Sequence, residues 1–125
     1  MKSIVKSQDW PVTVMPDATA EAALDRKVSE REYRSLIDGF RPQEMDERWF
    51  MYVEEDWIYL HRSWTGFCIF KAKLEIQMDG YTITMLCINR NPDQYKSTNI
   101  EADINEFHSV LNSLITKILE NQSNC

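Results

Sequence analysis

The sequence predicts an α+β domain: a four-stranded antiparallel meander sheet with helices packed on one face (α-β-β-β-β-α), behind an extended N-terminal arm. Three observations predict it. Between Trp49 and Asn89, four segments rich in aromatic and β-branched residues follow one another with turn residues between them. Ile100, Ile104, Phe107, Leu111, Leu114 and Ile118 recur at alternating four- and three-residue steps, an apolar stripe suited to cover a sheet. Ser29 and Glu32 form a capping box, which marks a helix start ahead of the strands.

The arm, residues 1–16, contains Trp10-Pro11-Val12-Thr13-Val14, an extended segment because the residue before proline is pushed away from helix. From Asp17 the residues favour helix: Asp17 caps, and Ala20-Glu21-Ala22-Ala23-Leu24 are good helix formers. A further helix starts at Glu30, with Val28 and Tyr33 at the two positions of a hydrophobic staple. Tyr33, Leu36, Ile37 and Phe40 face inward, and Gly39 supplies a left-handed stop before Pro42.

The strands follow as Trp49–Val53, Trp57–Ser63, Phe67–Gln77 and Tyr81–Asn89, with Glu54-Glu55-Asp56 as a solvated hairpin tip. Asp79-Gly80 reads as a two-residue turn, so Leu74 faces Met85 and Ala72 faces Cys87. One face then carries Cys68, Phe70, Ala72, Leu74, Ile76, Ile83, Met85 and Cys87, and the other is polar. Thr98 and Glu101 make a capping box for the last helix, whose stripe Val110, Ile115 and Leu119 widen. Burial against the sheet accounts for that stripe, with a dimer seam as the alternative. The tail, 120–125, is polar and reads as loose.

Composition limits the function. A length of 125 residues fits a single domain spanning 1–125. With 43% hydrophobic and 27% charged residues, the chain is globular material and not disordered or fibrous. A net charge of -6 argues against nucleic-acid binding, because neutralising phosphates needs a basic face. Cys68, Cys87 and Cys125 fit no zinc spacing, and three glycines leave no room for a glycine-rich phosphate loop. No metal, cofactor or membrane partner is expected. Met1-Lys2-Ser3-Ile4-Val5-Lys6 lacks the apolar core of a signal peptide, and unpaired thiols suit a reducing cytoplasm.

The turn His61-Arg62-Ser63-Trp64-Thr65-Gly66 is the richest set of hydrogen-bonding groups in the chain. Arg62 offers a fork for phosphate or carboxylate and Trp64 a stacking face. Ser63 and Thr65 add hydroxyls, and Gly66 admits close approach. The plain alternative is a hairpin end with Trp64 packed and Arg62 solvated. A three-residue loop starting at Trp64 turns Ile58, Leu60 and Arg62 inward and places Tyr59, His61 and Ser63 on an open face. A two-residue loop, Thr65-Gly66, does the reverse. Aliphatic Ile58 and Leu60 favour the first. The loop after the last strand is the second candidate: Arg90 and Tyr95 lie where the meander brings them to the rim that holds Arg62 and Trp64. The alternative is a polar Asn-Pro loop. His108, flanked by Phe107 and Ser109, reads as a helix-flank histidine.

The run Arg48-Trp49-Phe50-Met51-Tyr52 through Trp57-Ile58-Tyr59-Leu60-His61-Arg62-Ser63-Trp64-Thr65-Gly66, with Asn89-Arg90-Asn91-Pro92-Asp93-Gln94-Tyr95, resembles a group of small uncharacterised bacterial proteins. The resemblance covers roughly residues 45–115 and implies a bacterial or phage origin and a shared role for both loops. It implies no activity.

Three functions follow in order of expectation. The first is a non-enzymatic domain binding a phosphorylated or nucleotide-like small molecule at the sheet rim. Its site comprises Arg62, Ser63, Trp64, Thr65, Arg90, Tyr95, His61 and Tyr59. The second is a protein-interaction module, an inhibitor or accessory subunit, using the open aromatic face. The third is a small hydrolase using His61 with Asp93 or Glu44.

Overall fold

The computed structural model describes residues 4–123. Five antiparallel strands form one sheet: β1 (Thr19–Val28), β2 (Trp49–Glu54), β3 (Trp57–Arg62), β4 (Cys68–Gln77) and β5 (Gly80–Asn89), in the spatial order β1-β5-β4-β3-β2. Helices α1 (Glu30–Asp38) and α2 (Ile100–Ser123) contribute to one core cluster with its helix-facing side. No helix among the described residues is long and apolar enough to cross a membrane.

The fifth strand corrects the expectation of four. Residues 19–28 carry good helix formers, yet they also alternate, with Ala20, Ala22, Leu24 and Val28 on one side. Ala20 pairs with Ile88 and Ala22 with Leu86, so that side joins the apolar face of β5. Pairing along a preformed edge outweighs local helix propensity, which is only a few tenths of a kcal/mol (about 0.7 at most) per ordinary residue.

α1 begins as expected: Glu32 N–H donates to Ser29 Oγ at 3.1 Å and Ser29 N–H donates to Glu32 Oε1 at 3.0 Å. Tyr33 stacks on Tyr81 with ring centres 3.8 Å apart. α2 is capped differently from expectation. Asn99, not Thr98, accepts the Ala102 N–H at 3.1 Å, because an N-cap must sit immediately before the first helical residue. Phe107, Val110, Leu111, Leu114, Ile115 and Ile118 are buried in the sheet's core cluster, which settles the stripe as core. The helix runs past Glu120 to Ser123, so the tail is shorter than expected; its last two residues, including Cys125, lie outside the described residues.

Of three register shifts among the described residues, one of them in β1 between Ala23 and Arg26, two decide which residues face the core. Gly80 pairs with Gln77, so Met78-Asp79 form the turn instead of Asp79-Gly80, and Leu74 faces Ile83. Thr84 is then the extra residue, and beyond it Ala72 faces Leu86 and Phe70 faces Ile88. This corrects the expected inward set: Ile83 enters the core as expected and is joined by Leu86 and Ile88, whereas Met85 and Cys87 turn outward beside Lys73 and Lys71. The switch buries two branched aliphatic side chains in place of a thioether and a thiol. Ile76 is exposed near the hairpin tip. At the other end Ile69 is extra, because Leu60 faces Phe70 and His61 faces Cys68. Ile69 joins the core cluster, and Cys68 moves to the other face with His61. The tip between β2 and β3 is a tight turn, with Glu55 (φ 52°) and Asp56 (φ 67°) both left-handed.

The N-terminal arm covers part of the face opposite the helices. Trp10 stacks on Phe50 at 5.9 Å, and Thr13 bridges Phe67 in parallel. Two glycines record its path. A Cβ on Gly39 (φ 78°) would lie 2.7 Å from Val5 Cβ, and one on Gly66 (φ 80°) would lie 2.6 Å from the Pro11 carbonyl oxygen.

Candidate functional site

Arg62 closes β3, and its backbone N–H donates to the Phe67 carbonyl at 2.9 Å while Gly66 N–H donates to the Arg62 carbonyl at 2.8 Å. The loop is therefore Ser63-Trp64-Thr65-Gly66, one residue longer than expected. The bulge at Ile69 absorbs that residue, so Ile58 and Leu60 face inward and Tyr59 and His61 face the other way, as the sequence predicts.

That other face is not open at His61. The ring is 1% exposed. Its Nδ1–H donates to the Gly66 carbonyl at 2.9 Å, and Nε2 lies 3.4 Å from the Tyr52 hydroxyl. Burial lowers its pKa below the ordinary 6.5, and the bond to Gly66 offsets this only in part. Thr13 N–H donates to the same Gly66 carbonyl at 2.8 Å, and Trp10 Nε1–H donates to the Ser63 carbonyl at 2.9 Å. His61 and the arm therefore brace the turn from beneath, which corrects the expectation of an exposed histidine. The neighbouring Cys68 thiol is also buried, which pushes its pKa up to about 12. Tyr59 stacks on Tyr52 at 4.8 Å, and Lys71 lies over both Tyr59 and Trp57.

On the helix side of the turn lies a cleft of about 590 Å³, lined by Arg48, Arg62, Trp64, Thr65, Phe67, Asp93, Gln94, Tyr95, Lys96 and Ser97. One wall is the end of the β2–β3 pair. Trp49 faces Arg62 across the ladder, the Arg62 guanidinium sits 4.6 Å over the Trp49 ring, and Arg48 is the next residue along. Trp64 is 74% exposed, and its Nε1–H donates to the Met45 carbonyl at 3.0 Å, which fixes the ring beside the cleft.

The other wall is the loop from Arg90 to Asn99, held by a network of polar side chains. Asn89 is fully buried; its Nδ2 donates to the Cys68 carbonyl and to Gln94 Oε1, both at 2.8 Å, and its Oδ1 accepts the Asn91 N–H. Asp103, 1% exposed on α2, takes the Tyr95 hydroxyl at 2.8 Å and the Arg90 guanidinium at 2.5 Å, with the Ser97 hydroxyl also favouring its charged form. Burial alone would raise the Asp103 pKa, but the bonds from Ser97, Tyr95 and Arg90, with the Arg90 charge, outweigh it and hold the carboxyl below its ordinary 3.8. Burial, reinforced by the bond to Asp103, pushes the Tyr95 hydroxyl up to about 12.

Of the residues singled out from sequence, Arg62, Trp64, Thr65 and Tyr95 meet in this cleft. Ser63 lies beneath the turn and donates to the Glu47 carbonyl at 2.8 Å. His61 and Tyr59 belong to the opposite face. Arg90 does not converge with Arg62 on a ligand position; it is spent on Asp103 and on the Ser97 carbonyl at 3.2 Å. The sequence reading missed Arg48, Phe67, Lys96 and Ser97. A two-residue tip at Glu55-Asp56, in place of the three-residue Glu54-Glu55-Asp56 read from sequence, sets Trp49 opposite Arg62 and so brings Arg48 to this rim.

Among the described residues no group of three or more His, Cys, Asp and Glu side chains is placed to hold a metal ion. The chain matches no family model, no curated protein and no solved structure.

Proposed function

We propose that this protein is a small binding domain whose cleft holds a phosphorylated, ring-bearing small molecule of the nucleotide kind. One observation carries the reading: in a chain of net charge -6, three cations (Arg48, Arg62 and Lys96) gather with Trp64, Phe67 and Tyr95 around a single cleft of ligand size. Arginine beside an aromatic face supplies the two contacts a phosphate and a flat ring require. Cys68 and Cys87 are both unpaired, which fits a reducing compartment such as the cytoplasm.

The test is mass spectrometry of the supernatant after heat denaturation, together with thermal-shift titrations against nucleoside mono-, di- and triphosphates and sugar phosphates. A released or stabilising phosphorylated ligand, lost in Arg62→Ala and Arg48→Ala, is the expected result. Failure across the panel with folded protein overturns the reading.

A second reading, a protein-interaction surface, draws support from Met45 (79% exposed), whose carbonyl holds the exposed Trp64 ring. The aromatic sheet face favours it less, since lysines lie over Trp57 and Tyr59. A hydrolase built on His61 has no support from the geometry, because both ring nitrogens face groups inside the fold.

A further inference from the structure

The polar groups of the cleft are unequally committed, and the difference defines the ligand more closely. On the loop wall, the Tyr95 hydroxyl donates to Asp103, Ser97 Oγ accepts the Asn99 N–H, and Gln94 Oε1 accepts from Asn89, which leaves the Gln94 amide nitrogen as a donor. On the turn wall, Trp64 Nε1–H is held by the Met45 carbonyl, and Thr65 Oγ1 accepts the Phe67 N–H at 3.3 Å. Arg48, Arg62 and Lys96 only donate. The side chains lining the cleft therefore offer donors and ring faces almost throughout.

Asp93 is the exception. It is exposed, and its carboxylate takes no partner among the described residues, although its backbone N–H is fixed by Asn91 Oδ1 at 2.9 Å. It stands on the loop wall, while Arg48 and Arg62 stand together on the turn wall. A ligand that is only an anion gains from the arginines and is repelled by this carboxylate. A ligand with an anion at one end and an O–H or N–H donor at the other satisfies both walls.

We propose that Asp93 is the specificity-determining residue of the cleft, accepting a hydrogen bond from a hydroxyl or amine of a ligand whose phosphate lies on Arg48 and Arg62. This rests on reading the cleft as a phosphate site. Nucleoside phosphates carry that combination, with a sugar hydroxyl or an exocyclic amine as the donor.

The experiment measures binding of four probes by calorimetry: inorganic phosphate, adenosine monophosphate, its 2′-deoxy form and inosine monophosphate. Each is titrated into wild type, Asp93→Asn and Arg62→Ala. The Asp93 backbone N–H, not its side chain, holds the loop, so Asp93→Asn keeps the fold.

Expected is a change of opposite sign: Asp93→Asn weakens adenosine monophosphate by about tenfold, the loss of one charge-assisted bond, and strengthens inorganic phosphate. If the deoxy form is weak on wild type and indifferent to the substitution, the donor is the sugar hydroxyl; if inosine monophosphate behaves so, it is the amine. Adenosine monophosphate binding that survives Asp93→Asn unchanged or tightens, yet is lost in Arg62→Ala, overturns the role of Asp93 and leaves the phosphate reading standing. No binding of any probe by wild type overturns both.

Discussion

Replacing Asp103 by alanine tests whether the loop wall of the cleft is held from inside the protein. The carboxylate is 1% exposed and serves Arg90 and Tyr95 together. Removing one partner of a buried ion pair costs about 3–5 kcal/mol, because the other charge is left without compensation. Arg90 keeps the Ser97 and Asn89 carbonyls at 3.2 and 3.4 Å, and its side chain is 18% exposed, so its charge is not wholly stranded. The cost should therefore fall near the lower end, about 3 kcal/mol.

Urea unfolding at pH 7, followed by tryptophan fluorescence, reads this as a fall in midpoint of roughly 1–3 M at unchanged slope. Replacing both partners, Arg90→Met with Asp103→Leu, should recover much of the loss, since a matched apolar pair leaves no charge unpaired. A loss below about 1 kcal/mol in Asp103→Ala would refute the reasoning, because a surface ion pair costs no more than that. The acid limb gives a second reading. The Asp103 carboxyl is depressed in the folded state, so its contribution is present above the unfolded carboxylate pKa of about 3.9 and lost as pH falls through the lower folded value. Asp103→Ala should flatten that limb.

Two further outcomes follow from the turn. Gly66→Ala combines a left-handed φ of 80° with a Cβ 2.6 Å from the Pro11 carbonyl oxygen, so backbone strain and collision with the arm add. Thermal denaturation should show Gly66→Ala losing about 1–3 kcal/mol relative to wild type, and an unchanged midpoint would contradict the bracing of the turn by the arm. His61 has a folded pKa below its unfolded 6.5, so the unfolded chain binds the proton more readily and stability rises with pH through the window below 6.5. His61→Asn should remove part of this slope, leaving the share of His108, whose pKa is lowered mainly by burial and further by Arg26. An unchanged slope in His61→Asn counts against a buried neutral ring.

What the sequence made legible follows the range of the interactions involved. The Ser29–Glu32 box spans one helical turn and needs no tertiary context, and the structure keeps it. The facing of Ile58 and Leu60 also came through, because burying aliphatic side chains decides a strand's register. Residues 19–28 misled because alanine suits both helix and edge strand, and the partner that selects strand, β5, lies sixty residues on (roughly, on the scale where loop closure and not local propensity decides). The bulges at Thr84 and Ile69 have no local mark; each arises because several aliphatic residues compete for one face. At the cleft, Arg62, Trp64 and Thr65 were visible as neighbours in sequence. Arg90 was placed wrongly because nothing near it in sequence names Asp103, one helical turn inside α2, as its partner.

The sheet's strand order also sets a sequence of assembly. β1 pairs with β5 and with no other strand, so the first strand synthesised waits unpaired until Asn89 has emerged. The arm waits too, since Trp10 rests on Phe50 and Thr13 meets Phe67. Hairpins β2–β3, β3–β4 and β4–β5 close over short spans and can form in the order of synthesis, with closure of the long-range edge as the slow step. During that interval the Trp10 ring and the apolar side of β1 are uncovered. Chaperone capture or aggregation of this chain would act on the stretch from Trp10 to Val28, which the finished fold ties down last.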